Sequence, residues 1–408
     1  MPNNYDAIIV GARCAGAPLA MLLARRGYRV LLVDKAQFGS DTISTNVIHP
    51  VGVSYLARWG LLDKVVRSGC PAIHTYRYDF GPVAIEGSPA HASSPVAYAP
   101  RRTVLDKILV EAAAASGAEV RESYCVDALL VADDRVVGIR NHDGVERSTV
   151  VVGADGRWSR VAELVDAPRY NQKPTVLAPY YCYWSNLPMN GCFETYVHPR
   201  RGFAAVPTND GLTLTVAGWP MEEFAERKHD LPGSFRSTFE ISPEFADRLR
   251  GAQQETRLVG MPTPNFFRKP YGPGWVLVGD AGYVKDPITA FGISDAFRDA
   301  ESCAAALASV FDGRRTLEDA MSRYTRMRDA HALPFYEMTW QIATLAPPPP
   351  EMHAIITACQ GNQFAMDAFV RMNAGGLPPA EFFEHVVPAA MAAFNANEAD
   401  VSRALPAP

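Results

Sequence analysis

No cysteine pair in this chain has the C-x-x-C spacing of a thiolate site. The seven cysteines, Cys14, Cys70, Cys125, Cys182, Cys192, Cys303 and Cys359, are scattered and odd in number. That pattern argues against both a disulfide framework and a thiolate zinc centre, and a reducing cytoplasm is the expected location. The nine histidines are equally dispersed, with neither H-x-x-x-H nor H-E-x-x-H spacing, so no metal is expected. No basic stripe is interleaved with aromatics, and the formal net charge is −5, which argues against a nucleic-acid partner. No apolar run is long enough to cross a bilayer. Pro2-Asn-Asn-Tyr-Asp6 leads straight into a strand-like run rather than a cleavable signal. Repeats, low-complexity blocks, a Ser/His/Asp triad and an obvious carboxylate pair are all missing.

What is present is a chain of 408 residues, 48% hydrophobic and 20% charged, long enough for two domains of an ordinary globular protein. Its organising stretch is the first one, DAIIVGARCAGAPLAMLLARRGYRVLLVD from Asp6 to Asp34. An apolar β-type run (Ala7 to Val10) meets the glycine turn Gly11 to Gly16. A helical stretch from Ala17 to Arg26 follows and stops at Gly27. A second apolar run then ends at Asp34. This is the βαβ pattern of a dinucleotide site. Gly11 suits the tight turn, Gly16 lets the helix pack closely, the helix N-terminus offers N–H groups to a pyrophosphate, and Asp34 can accept from a ribose diol. One position departs: the middle glycine of G-x-G-x-x-G is Arg13, whose guanidinium must either displace the ligand or cover it.

Farther along, the small polar loop Phe38 to Asn46 holds candidate hydroxyl contacts and leads to a helical stretch over 52–66. Residues 72–100 read as strands of a separate sheet, and Arg102 opens a helix running to Ala115. A hairpin signal sits at Asp133-Asp134. Alternating β-type stretches dominate 171–264, relieved by a helical stretch over 221–227. The parent domain resumes at the strand-like Gly274 to Asp280, followed by helices over about 292–310 and 317–332. Pro347 to Pro350 read as a rigid spacer, and the tail beyond is helical, broken at Gly375-Gly376 and Pro378-Pro379.

Three stretches, in this order, resemble the FAD-dependent monooxygenases of the para-hydroxybenzoate hydroxylase fold, a superfamily that includes flavin halogenases and geranylgeranyl-reductase-type enzymes. They are the glycine turn at 11–16, Gly153-Ala-Asp-Gly156, and GDAGYVKDPITAFGISDAFRDA from Gly279 to Ala300. Arg102-Thr-Val-Leu105 matches the R-x-x-L that opens a flavin-contacting helix. The chain departs where the family has His (Tyr283), G-Q-G (Ala290-Phe291-Gly292) and Asn (Ser294), as an outlying branch would. The halogenase pattern W-x-W-x-I-P is absent.

The resemblance implies an α/β fold: a Rossmann-like FAD-binding domain formed by 1–71, 97–170 and 265–335. An antiparallel substrate-binding β domain formed by 72–96 and 171–264 interrupts it, and 336–408 form a helical C-terminal region. It implies FAD held by Gly11, Arg13, Gly16, Asp34, Lys35, Ser44, Thr45, Arg102, Asp155, Gly279, Asp280, Pro287, Gly292, Ile293 and Ser294. Pro287 and Gly292 would lie beside the flavin ring, and Asp155 would serve more as a structural residue, or as a contact to the phosphate region or a pyridine nucleotide, than as a proton carrier. The implied reaction is hydroxylation of an aromatic or other electron-rich small molecule, with NAD(P)H as reductant and O₂ added as a flavin C4a-hydroperoxide. Reduction of isoprenoid-type double bonds and halogenation are the alternatives. Substrate contacts are expected from Tyr183, Phe203 and Trp219, within a wider aromatic set of Tyr76, Tyr78, Tyr180 and Trp184. His49, His198 and Arg200 read as surface or turn residues. The tail is a candidate either to close the active site or to form a homodimer surface, and a separate flavin reductase is a candidate electron source.

Overall fold

The computed structural model describes residues 5–260 and 262–404. Residues 1–4, 261 and 405–408 of the expected ranges lie outside the described residues. The first apolar run forms the strand Tyr5–Val10, paired in parallel with Val30–Val33 on one side and Gly144–Gly153 on the other. Glu119–Arg121 and Trp275–Leu277 extend the parallel set outward. Ala7, Ile8 and Ile9 are fully buried, so both faces of this central strand are covered, as parallel sheets require. The helices Gly16–Ala24, Arg102–Ala115 and Gly292–Phe311 contribute to the core on one face. The hairpin strands Ala128–Ala132 and Arg135–Asn141 and the short helix Arg160–Leu164 cover the other. Asp133 and Asp134 turn that hairpin with φ of 48° and 57°, the left-handed pair that a two-residue turn needs.

A second sheet of eight strands is built from Thr75–Asp79 and Ala84–Gly87 together with strands between Leu177 and Gly260. Expected as antiparallel, it contains one parallel pair, Cys192–His198 alongside Thr75–Asp79. More than a hundred residues separate those two strands in the chain, most of them from the parallel-sheet domain, and so long a crossover lets them run in the same direction. Side chains alternate between two apolar layers. Tyr76, Tyr181, Tyr183, Phe193, Val206 and Leu214 face the inner layer. Tyr180, Cys182, Trp184, Tyr196, Phe203 and Trp219 face the outer one.

The outer layer is closed by helices, among them Leu231–Thr238 and Pro243–Arg250. The helical segment expected over 221–227 therefore continues much farther, because Phe235, Phe239 and Phe245 supply a buried stripe that the short polar windows conceal. The helix expected over 52–66 divides into Pro50–Trp59 and Leu62–Arg67 at Gly60, φ 75°. The helix expected to end near 332 continues as Leu317–Ala343 through Pro334. In the tail, Pro350–Cys359 and Gln363–Asn373 pack on the inner layer through Ile356, Cys359, Phe369 and Met372. No helix among the described residues is long and apolar enough to cross a membrane.

Phe239 is fully buried, with ring contacts to Phe203, Phe235 and Phe245. Phe239→Ala is expected to cost about 3–5 kcal/mol in urea unfolding while leaving the parallel-sheet domain's ligand affinity unchanged.

Candidate active site

The parallel strands end at a cleft of about 860 Å³. Its floor is the glycine turn. Gly11 has φ +101°, and a Cβ there would sit 2.4 Å from the carbonyl oxygen of Ala154. A Cβ on Gly16 would sit 1.8 Å from the carbonyl oxygen of Gly11. Neither glycine tolerates a side chain. The N-terminal turns of helices Gly16–Ala24 and Gly292–Phe311 both border the cleft, through Cys14 and Ala15 for one and Gly292, Ile293 and Ala296 for the other. Their unpaired N–H groups and dipoles favour an anionic ligand or a ring edge rich in acceptors.

Asp34 closes the second strand. Its Oδ2 accepts from the Ala12 N–H at 2.8 Å and its Oδ1 from Ala36 at 2.9 Å, so it holds the turn as well as lining the cleft. Arg13 donates to Asp106 Oδ2 at 2.8 Å and to Ser40 Oγ at 3.2 Å. Arg102 grips the same Asp106 through Nε at 3.1 Å and Nη2 at 2.9 Å. One buried carboxylate thus fixes two guanidinium groups at the cleft wall. Asp106 was missed from sequence, although its position four residues after Arg102 on one helix face was the available signal.

Asp155 accepts from the Ser159 hydroxyl and from the N–H groups of Arg160 and Val161. It organises the start of helix Arg160–Leu164 and borders the cleft only as part of its wall. Asp280 also lines the cleft; burial raises its carboxyl pKa, while Arg157 and Arg102 pull the other way. Below the ring-side loop lies a buried charge cluster in which Lys285 and Arg298 both donate to Asp295. Burial acts to raise the Asp295 pKa, but the two cations hold it at about 2. Tyr283, where the family carries His, stacks on Phe267 at 4.9 Å and accepts from Arg298 at 2.7 Å.

Of the residues expected to hold the cofactor, Gly11, Arg13, Asp34, Lys35, Ser44, Thr45, Arg102, Asp155, Gly279, Asp280, Pro287, Gly292 and Ile293 line this one cleft. Gly16 and Ser294 do not. Gly16 is a packing position behind the turn, and the Ser294 side chain faces Gly52, whose Cβ would lie 2.4 Å from Ser294 Oγ.

Beside the cleft, behind the Pro287–Thr289 turn, is an apolar cavity of about 50 Å³. Leu177, Pro179, Phe193, Val197, Val206, Leu214, Val216, Ile288 and Leu345 line it, and Thr45, Pro287 and Ala290 border both spaces. The expected substrate contacts fall on different faces of the sheet. Trp219 packs in the outer layer, stacked on Tyr180 at 5.8 Å. Phe203 borders the cavity along its strand, but its ring stacks on Tyr196 in that same outer layer. Strand alternation sends odd and even positions to opposite faces, and hydrophobicity alone did not say which face met the cleft. Tyr183 is on the inner face, where it accepts from Asn46 Nδ2 at 2.8 Å and borders neither space. Tyr76 and Tyr78 are inner-layer packing residues, and Trp184 donates to Thr215 on the outer face.

His49 is not a surface residue, as the sequence suggested; it is 1% exposed. Its Nε2 lies 3.0 Å from the Thr289 carbonyl and its Nδ1 2.8 Å from the Tyr76 hydroxyl. Burial lowers its pKa to about 4, so the neutral ring donates to Thr289 and accepts from Tyr76. That ring ties the Pro287–Thr289 turn to the second sheet. His198 pairs with Asp79, and Arg200 sits in a turn with φ 62°.

Residues 4–337 match the family described as the FAD binding domain. The chain belongs to that family. Consistent with FAD, the cleft falls within the about 300–1,000 Å³ of ligand pockets. At Gly292 a Cβ would meet nothing within 4 Å, which leaves the backbone open to a flat ring. A digeranylgeranylglycerophospholipid reductase of Methanosarcina mazei is 29% identical over 316 residues, covering 72% of this chain and 73% of that protein. Among solved structures, the flavin-dependent brominase Bmp2 superposes with TM-score 0.79 at 18% identity, covering 98% of this chain and all of its own. The p-nitrophenol 4-monooxygenase PnpA of Pseudomonas putida gives 0.77 at 18%, covering 93% of this chain and 100% of PnpA. These structural likenesses establish the fold, and membership of the FAD binding domain family makes this protein a FAD-dependent oxidoreductase.

Two outcomes follow from the geometry. Arg13→Gly removes one charged contact at the cleft wall without disturbing Gly11 or Gly16. It is expected to raise the FAD dissociation constant by about one to two powers of ten, read by release of flavin fluorescence, while the fold is kept. For His49, the folded pKa of about 4 lies below the ordinary 6.5, so the unfolded chain takes up the proton first. Its stabilising contribution is complete above about pH 6.5 and is lost as the pH falls toward about 4. Compared with His49→Gln, the wild type should lose about 1.4 kcal/mol per pH unit across that window in urea unfolding.

Proposed function

We propose that this flavoenzyme is a monooxygenase that uses NAD(P)H and O₂ to place one oxygen atom on a small, uncharged, electron-rich molecule, aromatic rings included. The observation carrying this reading is the apolar cavity, which shares Thr45, Pro287 and Ala290 with the FAD cleft and is lined by no charged side chain. When bound, FAD supplies the redox and oxygen-activating chemistry. The protein's part is to seat the substrate against the Pro287–Thr289 turn, exclude water, and keep the Lys285–Asp295–Arg298 charges on the cleft side.

Size supports the small-substrate reading over reduction of a long isoprenoid chain. The cavity of about 50 Å³ is smaller than the roughly 150 Å³ that takes benzene in an engineered protein core. Even one ring requires its walls to part, and Leu345 is one lining residue outside the sheet. Leu345 ends the segment after helix Leu317–Ala343 with φ 50°, just before four prolines. Reduction of an allylic double bond is the second reading, favoured by the 29% identical Methanosarcina mazei reductase.

NAD(P)H oxidation and O₂ uptake by the holoprotein, measured with a panel of small phenols, arenes and alkenes, separate the two. The monooxygenase consumes O₂ and NAD(P)H together and yields a product heavier by one oxygen atom. Anaerobic turnover that saturates an alkene would overturn it in favour of the reductase.

A further inference from the structure

Asp286 was assigned no role from sequence, yet it sits directly before Pro287 and lines the FAD cleft at the edge of the apolar cavity. It is 1% exposed. Its N–H donates to Asn265 Oδ1 at 2.8 Å, and its Oδ1 accepts from the Ile288 N–H at 3.0 Å, capping the Pro287–Thr289 turn. Its Oδ2 is buried without any hydrogen-bond partner. Capping accounts for one oxygen only, and Ser, Thr or Asn would cap as well. A second buried carboxyl oxygen with nothing to bond is costly, unless a ligand in the cleft completes it.

We propose that Asp286 is a cofactor-contacting residue whose Oδ2, carrying a proton, donates a hydrogen bond to an acceptor atom of the bound flavin, so that FAD binding above neutral pH takes up one proton. Charge balance is simple: solvent supplies the proton, one O–H bond forms on Oδ2, and that bond points at the flavin. Burial supports it by raising the carboxyl pKa to about 7, which leaves the group poised between donor and anion at neutral pH. This inference rests on the FAD site alone and holds whether the enzyme oxygenates or reduces.

Charged and titratable groups face Asp286 from each element packed around it. From the second sheet, Tyr181 lines the same wall, and Asp286 helps keep its phenol protonated. From the turn after Gly153, Arg157 reaches Thr263. The adjacent Lys285 is paired with Asp295 on the following helix, and Arg298 shares that carboxylate. Behind Thr289, His49 stays neutral, and burial likewise lowers His331 to about 4. Asp280 lines the same cleft, its pKa raised by burial, and is the charge whose contribution the variants below must separate.

The test is dilution of the full-length holoprotein from about pH 6 to about pH 9, with FAD release followed by flavin fluorescence and proton balance by a pH indicator. For wild type, the dissociation constant should climb toward tenfold per pH unit above about pH 7, and release should free a proton. In Asp286→Asn the amide donates at every pH and still caps Ile288, so FAD stays bound and the pH dependence disappears. Asp286→Ser keeps a cap, loses the reach of Oδ2, and should bind FAD more weakly at all pH values. If Asp286→Asn keeps the wild-type pH profile and proton release, the proposal is overturned and Asp280 carries the titration. If wild-type affinity is flat across the range, Oδ2 does not donate to the flavin and the proposal fails equally.

Discussion

The structure depends on one steric constraint, the absence of a side chain at Gly11 and Gly16. With a Cβ at either position, the turn would collide with the carbonyl of Ala154 or with its own backbone at Gly11. Those contacts let the strands Tyr5–Val10 and Gly144–Gly153 end at the same level, with Gly153 paired to Val10. They also let the helix from Gly16 start directly above that edge. The cleft is the space left over that shared edge. Asp34 then ties the turn from the neighbouring strand, so a ligand meets donors already held in place rather than a loop it must order. Preorganisation of that kind lowers the entropic cost of binding.

A second constraint is electrostatic. Charged groups gather on the cleft side of the Pro287–Thr289 turn, and the far side is apolar. Lys285, Asp295, Arg298 and Asp299 form a continuous buried network, stable as a unit because each carboxylate has a cationic partner; a lone ion there would be prohibitive. On the other side, no lining residue of the small cavity is ionisable except Tyr196, whose hydroxyl is committed to Glu194 in the outer layer. The turn is therefore a partition between the polar FAD cleft and the apolar cavity. His49 braces that partition from the second sheet, and its neutrality avoids burying another charge there.

Much of this was legible in the sequence wherever local chemistry decides the outcome. Gly11, Asp34, Arg102, Gly279 and Pro287 each announce themselves through a turn, a strand end or a helix start, and these converge on one cleft. Asp106 was legible only as an i, i+4 partner, because its meaning depends on Arg13, ninety-three residues earlier. His49 was not legible at all: a lone histidine before a proline looks like a turn residue until the carbonyl of Thr289, 240 positions away, closes on it. The inner and outer faces of the second sheet were equally hidden. Tyr183 and Trp184 are neighbours with similar hydrophobicity, and only the packing of Phe235, Phe239 and Phe245 on one face decides that Trp184 turns away from the cofactor.

That outer layer makes the two sides of the small apolar cavity unequal. The sheet wall of the cavity is backed by stacked aromatics and by the Arg248–Glu194 ion pair, so it has little freedom to retreat. The opposite boundary includes Leu345, where the chain passes from the long helix into the proline run, and the tail helices pack beyond it on the inner layer. A wall held by interlocked rings and a wall held at Leu345 by aliphatic contacts and one backbone hydrogen bond from Arg200 do not yield equally. Opening should therefore be one-sided, through displacement at Leu345 and the tail. The turn that borders the cofactor would stay fixed by His49, Asn265 and the cap from Asp286. The apolar cavity can then widen without loosening the FAD cleft.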